Sequence, residues 1–572
     1  MKNFITLSLL VACVFSANAQ WSVDPAEDNF LIPAETTIYE NELLTSNDGT
    51  TWMIFQRPIG SHVTEYRVKI FDKYGCAKLS DPLGLLISTY RSPYTVINQH
   101  SLLDSDGNLI VAVHDARNST EDAEYMSYTA YKISPDGTML WDEDGVSLNG
   151  DIPSDLTGAM TITQLDDKSV VFAWMRYDGD LARIDLQRVS SDGKPQWNID
   201  DVALSEEGVP YTYPYLVNSG SNQIILVFAK GASSDLYARK LDFDGTQVWE
   251  KDLRIYRGGW STIPLWTKLN VTSSGDGGAL VSWNDDRTYE GYERPYLSYI
   301  KGDGTLGFSA ASETGDVRLD WEDGWQGYQV KAMPSPDGNG FYAIWQKTDK
   351  SQIWNYPAVQ RISHNGELQW DENGVAVAPL SDLSYGYCSL QPDQDGNLAA
   401  FYMHNKSYYD ISSHCTLVNG NTGNVITDKS LMFTPGQRRR SDLTTTTSTD
   451  EHFWIASWRD GGAQDGEEYS YRFKRINFDL TYGSEHTSGI DYAITQPDDM
   501  LVYNSGKLFI HTENDTPTSV DIINMSGTVT KSIQINATAG TNIIDCPELS
   551  PGIYFGRMHG NGQETIAKFI VK

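Results

Sequence analysis

The 572-residue chain is short of basic residues, of cysteine and of long apolar runs. It has 43 lysines and arginines against 76 aspartates and glutamates, a net charge of −33. A surface of that sign repels a phosphate backbone and argues against nucleic acid as a partner. It suits solubility outside the cell or, as a second reading, the capture of cations. The five cysteines form no C-x-x-C pair, so no disulfide framework is indicated. Cys76, Cys388, Cys415 and Cys546 read as free, buried thiols. Beyond the N-terminus no apolar run approaches the ~18 residues of a membrane span. Helical periodicity of useful length is missing after the first 19 residues. So are G-x-S-x-G, H-E-x-x-H and Walker motifs, and no His pair stands at metal-ligand spacing.

What is present begins with a targeting segment. In "MKNFITLSLLVACVFSANAQ", Lys2 precedes an apolar run from Phe4 to Phe15, and Ala17-Asn18-Ala19 makes a small-residue cleavage site. The mature chain is expected to start near Gln20. "LVAC" at Leu10–Cys13 offers a rival lipoprotein site at Cys13, less favoured because the apolar run continues past it.

Aromatics make up 12% of the chain, with 16 Trp and 32 Tyr, which fits a folded β-rich protein and not a disordered one. One pattern recurs. "ISPDGTMLWDEDGV" from Ile133 returns as "VSSDGKPQWNIDDV" from Val189, "LDFDGTQVWEKDL" from Leu241 and "ISHNGELQWDENGV" from Ile362. The aromatic falls at Trp141, Trp197, Trp249, Phe308 and Trp370, in steps of 56, 52, 59 and 62 residues. Weaker copies put Leu79, Thr427 and Gly483 in that place. A second landmark, an apolar run ending in an aromatic or His, ends at Phe55, His114, Trp174, Phe228, Trp283, Trp345, Tyr402 and Trp458. Each unit reads as four short strands. Asp-Gly and Asn-Gly turns mark hairpins, because glycine supplies the positive φ they need.

Four-stranded units at such a period predict an all-β protein. The expected body is an eight-bladed β-propeller over 37–490, or a seven-bladed one if the first or last copy is illusory. The Trp is expected on each fourth strand, wedged between neighbouring blades. Residues 1–19 are the expected signal peptide, 20–36 an N-terminal segment that closes the ring, 491–499 a linker and 500–572 a small β-sandwich.

The unit "VFAWMRYDGDLARIDLQRVSSDGKPQW" resembles a repeat of exported Bacteroidetes proteins, which implies a propeller-like fold and little about activity. The turn "SPDGTMLW" is similar to a sialidase Asp-box with its glycine one place early; Asp-boxes are structural turns. The tail resembles the C-terminal sorting domain of the type IX (Por) secretion system. The matching pieces are V-x-I-x-N-x-x-G at Val520–Gly527, L-x-P-G-I-Y at Leu549–Tyr554 and "KFIVK" at Lys568–Lys572. The family's opening V-Y-P-N-P is here "VYNSG", without either proline. The resemblance implies export machinery as a partner of 500–572, and a secreted or outer-membrane surface location.

No catalytic residue stands out. Polar pairs follow the second strand of several copies: Asp115 and Arg117, Arg176 and Asp178, Asp285 with Asp286 and Arg287, and Arg459 with Asp460. Either each pair ties down its own loop, or several converge at a channel mouth and grip a ligand. Trp260, Trp266, Trp321, Trp325 and Tyr328 break the repeat pattern; they read equally as ligand-stacking groups or as apolar plugs. His114 reads as a packed core residue. No cofactor is expected. Asp104–Gly107 and Asp393–Gly396 resemble calcium loops weakly, lack the distal Glu, and read better as hairpin turns. The leading expectation is a binding module for a glycan or a protein, more in keeping with a non-enzyme. A polysaccharide hydrolase, with Glu121, Glu290, Glu293 and Asp323 as loop acids, and an envelope scaffold are the alternatives.

Overall fold

The computed structural model describes residues 21–29, 38, 41–60, 63–90, 100–117, 127–150, 157–179, 181–233, 235–257, 269–287, 291–309, 312, 314–461 and 470–484. In the C-terminal part it describes 500–504, 507–512, 516–524, 528–537, 540–545, 549, 552–560 and 563–571. The chain divides into two compact units, 1–485 and 486–572.

Among its described residues the first unit is all-β apart from one four-residue helix, Ile199–Val202. Its described strands form eight antiparallel sheets in chain order, six of four strands and two of three, each with neighbours consecutive in sequence. The first strand of each sheet packs beside the first strand of the next. These inner strands are Asn41–Thr45, His100–Leu103, Thr157–Gln164, Tyr211–Asn218, Asn270–Ser273, Trp325–Pro334, Ser384–Pro392 and Arg440–Ser448, and the eighth meets the first. Propeller-like sheets therefore close around a common axis. Side chains stitch the inner strands together: Asn218 Nδ2 donates to Gln164 O (2.8 Å), Gln391 Nε2 to Thr445 O (3.1 Å) and Ser448 Oγ to Asn47 O (2.7 Å). The second strands are the driest part. Trp174, Trp283, Trp345 and Trp458 are fully buried there, and each indole removes enough apolar surface to contribute about 4–6 kcal/mol as an upper bound.

The recurring turn and Trp are two halves of one contact between neighbouring sheets. The Trp follows the third strand and precedes the fourth, so it lies in a connection and not on the fourth strand as expected: Trp141 comes before Val146–Ser147. Its indole lies on the turn glycine of the next sheet, and its N–H donates to a carbonyl of that turn. Trp141 Nε1 reaches Ser191 O at 3.0 Å, Trp197 Phe243 O at 3.0 Å, Trp249 Gly302 O at 3.3 Å and Trp370 Asn421 O at 3.4 Å. A Cβ on Gly193 would stand 2.8 Å from Trp141 Cγ, and one on Gly304 2.9 Å from Trp249. Leu79 plays the same part, 2.6 Å from a Cβ on Gly137.

The register fixes the equivalent of Trp141 in the eighth copy. Bridges Ile133↔Met139 and Ile476↔Tyr482 align Trp141 with Ser484, one residue beyond the expected Gly483. Trp21 supplies the missing wedge from the other end of the chain. It is buried, its ring would lie 3.0 Å from a Cβ on Gly75, and its backbone N–H, not its indole N–H, donates to Tyr74 O at 2.9 Å. Asn29 exchanges two backbone hydrogen bonds with Phe473 (2.9 and 3.1 Å). Phe473 lies three residues before its turn bridge, as do Val68 and Ala130, which pair with fourth strands. Asn29 thus occupies the fourth-strand position of the eighth sheet.

The second unit has two antiparallel sheets. One holds Met500–Asn504, Lys507–Thr512 and Gly540–Asp545; the other holds Val529–Ala537, Thr516–Asn524, Gly552–Gly560 and Gln563–Val571. In V-x-I-x-N, Val520 and Ile522 are fully buried and Asp521 pairs with Arg557 at 3.2 Å. Asn524 Oδ1 accepts the Thr528 N–H at 3.0 Å.

Two glycines isolate the wedge contact. Gly193→Ala in the mature chain should cost about 2–4 kcal/mol in urea unfolding, the sum of left-handed strain and a collision with Trp141. Gly107→Ala, at φ +79 with open space around it, should cost only ~1 kcal/mol. Equal losses would refute the role given to the indole.

Candidate functional site

The N-terminal ends of the inner strands share one end of the axis with the second-strand loops. Five of these strands carry the same irregularity there. Register shifts follow Gly158, Thr212, Tyr328, Gly386 and Ser441. The next residue in each case, Ala159, Tyr213, Gln329, Tyr387 or Asp442, has φ between 46 and 57°. Left-handed φ on a non-glycine residue is uncommon and costs energy, and a bulge re-aims the side chain it carries. Here the backbone device is constant while the side chain changes from copy to copy. Tyr213 is 40% exposed and Tyr387 37%, unusually open for aromatic strand residues. Tyr177 lies close enough to Tyr213 for its charge to be felt there, and Asp442 and Arg459 likewise flank Tyr387.

The polar pairs of the second-strand loops belong to this end. Asp115 is fully buried and held by Arg117 at 2.9 Å, whose Nη1 donates to Asp144 O (2.7 Å) and whose guanidinium covers Tyr90. Asp285 accepts from Arg287 (2.7 Å) and from Trp283 Nε1 (2.7 Å), while Arg287 reaches Asp316 at 2.8 Å and stacks on Tyr296 at 3.7 Å. Arg176 and Arg183 share Asp185, on the third strand, at 2.5 and 2.7 Å; the Asp178 side chain lies outside the described residues. Asp460 is buried and bound by Arg438 at 2.8 Å, with Arg440 at 3.5 Å and Arg472 at 3.9 Å. These carboxylates are occupied in anchoring their own sheets.

Asp285, Arg287, Trp321, Trp325 and Tyr328 belong to the fifth and sixth sheets and the stretches beside them, with Asp285 and Tyr328 near Glu293. Gly327 N–H donates to Glu293 O at 2.8 Å, and Asn284 Nδ2 to Glu293 Oε2 at 2.9 Å. Desolvation raises the Glu293 carboxyl to about 7, with Asp285 and Asp286 adding repulsion and Asn284 opposing it. Tyr328 donates to Gln326 Oε1 (2.8 Å) and accepts from Gln352 Nε2 (3.1 Å); burial and then Glu293 push its hydroxyl up to about 12. Trp321 is 55% exposed with Arg318 over its ring at 4.7 Å, whereas Trp325 is half-buried beside Tyr356, 5.4 Å between ring centres. Asp115 with Arg117, and Arg459 with Asp460, sit in the second and eighth sheets, away from this cluster. Trp260, Trp266, Glu121, Glu290 and Cys13 lie outside the described residues. So does Cys546, while Cys388 and Cys415 are free and buried and Cys76, in no disulfide, is half-buried instead of buried as expected.

Among the described residues no group of three or more His, Cys, Asp or Glu is arranged to hold a metal, and no helix is long and apolar enough to cross a membrane. The Asp104 carboxylate receives Lys132 Nζ (2.8 Å) and the Asn108 N–H, and Asp393 receives the Asp395 and Asn397 N–H groups. The bulged positions had one trace in the sequence, tyrosines spaced as in "YTYPY" and "YGY", which strand alternation concealed.

Residues 504–572 match the family described as "Secretion system C-terminal sorting domain". The C-terminal unit is a Por-type sorting domain, and the protein is exported, either secreted or displayed at the cell surface. Among solved structures, the chain is similar to the Dos1 propeller (11% identity, 79% of this chain and 95% of that one, TM-score 0.41). It is also similar to a PL25 ulvan lyase (12%, 70% and 98%, TM-score 0.37) and to a Dyadobacter fermentans protein of unknown function (9%, 77% and 99%, TM-score 0.34). No curated protein matches the sequence.

Glu293 generates a pH prediction, together with Glu42 on the first inner strand, where desolvation lifts the carboxyl to about 7 and Ser101 opposes the shift. A raised carboxyl favours the fold below its unfolded value near 4.3, and that contribution disappears as pH climbs to 7. Glu42→Gln and Glu293→Gln should therefore each lose less Tm than the parent between pH 5 and pH 8. Parallel Tm–pH curves would contradict the assignment.

Proposed function

We propose that the eight sheets are the blades of an eight-bladed β-propeller that binds an extracellular glycan at its bulged mouth, with no chemistry of its own. In this reading residues 1–19 are removed as a signal peptide, and the sorting domain delivers the body to the cell exterior. The observation that carries it is the set of five equivalent bulges bearing five side chains of four kinds. A feature that only built the blade would keep its side chain constant, whereas a ligand surface varies it. Two exposed tyrosines offer faces for sugar rings, and Gln329, Asp442 and Arg459 offer hydrogen bonds to hydroxyls. Trp321 with Arg318 extends the stacking surface toward the fifth and sixth blades.

Hydrolysis of the bound polysaccharide is a second reading, favoured by Glu293, whose carboxyl is half-protonated near neutral pH as a general acid requires.

A glycan array probed with the mature protein should give hits. For a hit, Tyr213→Ala and Tyr387→Ala should each weaken binding roughly tenfold, the scale of one lost stacking contact, with Tm held within about 2 °C. Array hits insensitive to both changes would move the site elsewhere. Release of reducing sugar that stops in Glu293→Gln would establish the second reading over the first.

A further inference from the structure

At the opposite end of the axis lies a cavity of about 880 Å³, at the seam where the eighth sheet meets the first. Its walls come from Val23 of the N-terminal strand, the turn at Lys73 and Tyr74, Glu451 and His452, and the stretch from Arg475 to Ser484. Here the repeat is broken. The turn glycine of the other copies, such as Gly75, Gly193 and Gly304, is replaced by Leu480 at φ +68. His452, in the neighbouring turn, is left-handed as well, at φ +57. Leu480 is the departure from that pattern, whereas left-handed non-glycine residues also occur in the equivalent turns to that of His452, at Lys168 and Asn222.

Arg475 is the half-buried cation of this cavity. Its Nε donates to Asn477 Oδ1 at 3.0 Å, its Nη1 donates to Lys73 O, and its guanidinium lies over Phe453 at 4.0 Å. Nη2 has no hydrogen-bond partner among the described residues. Of the two acids in the lining, Glu451 is engaged by Lys73 at 3.1 Å, and Asp479 accepts the Thr481 N–H at 2.9 Å and its hydroxyl at 2.6 Å. Burial without a carboxylate of its own lowers the Arg475 guanidinium to about 10, Glu451 offsetting only part of the loss. Tyr74, Phe478 and Tyr482 supply flat walls around it.

We propose that the seam cavity is a second binding site, for a small carboxylate carried on a ring, with the carboxylate on Arg475 Nη2 and the ring between the aromatic walls. A guanidinium with an open edge matches a carboxylate in charge and geometry. The volume lies in the range of small-molecule sites. This site stands apart from the mouth and does not depend on the glycan reading.

Calorimetric titration of the mature chain with sodium benzoate and with sodium glucuronate, and with glucose as the uncharged control, tests it. Saturable one-to-one binding of either carboxylate supports the proposal, benzoate marking an aromatic ligand and glucuronate a sugar acid. Val23→Trp, which fills the cavity from an exposed position, should weaken that binding at least tenfold, as should Arg475→Gln; Tyr213→Ala should leave it unchanged. Arg475 also ties the seam through Lys73 O, so Val23→Trp decides if Arg475→Gln fails to fold. Absence of saturation with both carboxylates, equal binding of glucose, or full affinity in Val23→Trp overturns the proposal.

Discussion

An indole from one sheet lies against a glycine in the next, and this contact sets the terms for the rest of the first unit. It needs both partners. The glycine provides left-handed backbone and the space that any Cβ would take, and the indole provides area and one N–H for a turn carbonyl that would otherwise face only solvent. Repeated around the axis, it fixes the spacing of the sheets, brings the inner strands into hydrogen-bonding range of one another, and so builds the channel. The Asp-Gly turn and the Trp are therefore one interaction written in two places, roughly 50 residues apart.

Symmetry makes the exceptions legible. Paired Asp and Arg residues after the second strands are spent on anchoring their own sheets: Asp115, Asp285 and Asp460 are fully buried with their charges met. The residues that differ among equivalent backbone positions are the ones left facing solvent. Tyr213, Gln329, Tyr387 and Asp442 occupy equivalent bulges, and only the two tyrosines have a side chain in common. Glu293 differs in another way, since burial raises its proton affinity and no cation neutralises its charge among the causes of that shift.

Much of the architecture was open to reading in the sequence, for a simple reason. A repeat samples the same physics several times, so Trp141, Trp197, Trp249 and Trp370 with their downstream glycines announce a sheet-to-sheet contact that a single copy would hide. The sorting domain was readable because Val520, Ile522 and Asn524 each do a local job, inside, inside and at the strand's end. Partners brought together by the fold escaped such reading. Asp185 as the acid of Arg176, Arg438 as the base of Asp460, and Trp21 as the wedge of the eighth copy are joined only across strands or across the seam. The bulges escaped too, because a strand with one extra residue looks from its sequence like any other strand.

The pairing of Asn29 with Phe473 has a kinetic side. It joins residues 444 apart (473 minus 29), so its loop-closure cost is about 5 kcal/mol and it lies at the slow extreme of contact order. Until it forms, the strand Ser470–Asn477 presents a bare edge, ready to recruit a strand from a neighbouring molecule. The segment around Asn29, synthesised early, must wait for the eighth sheet before it finds its place. For an exported chain, the interval between those events is the period of greatest exposure to aggregation.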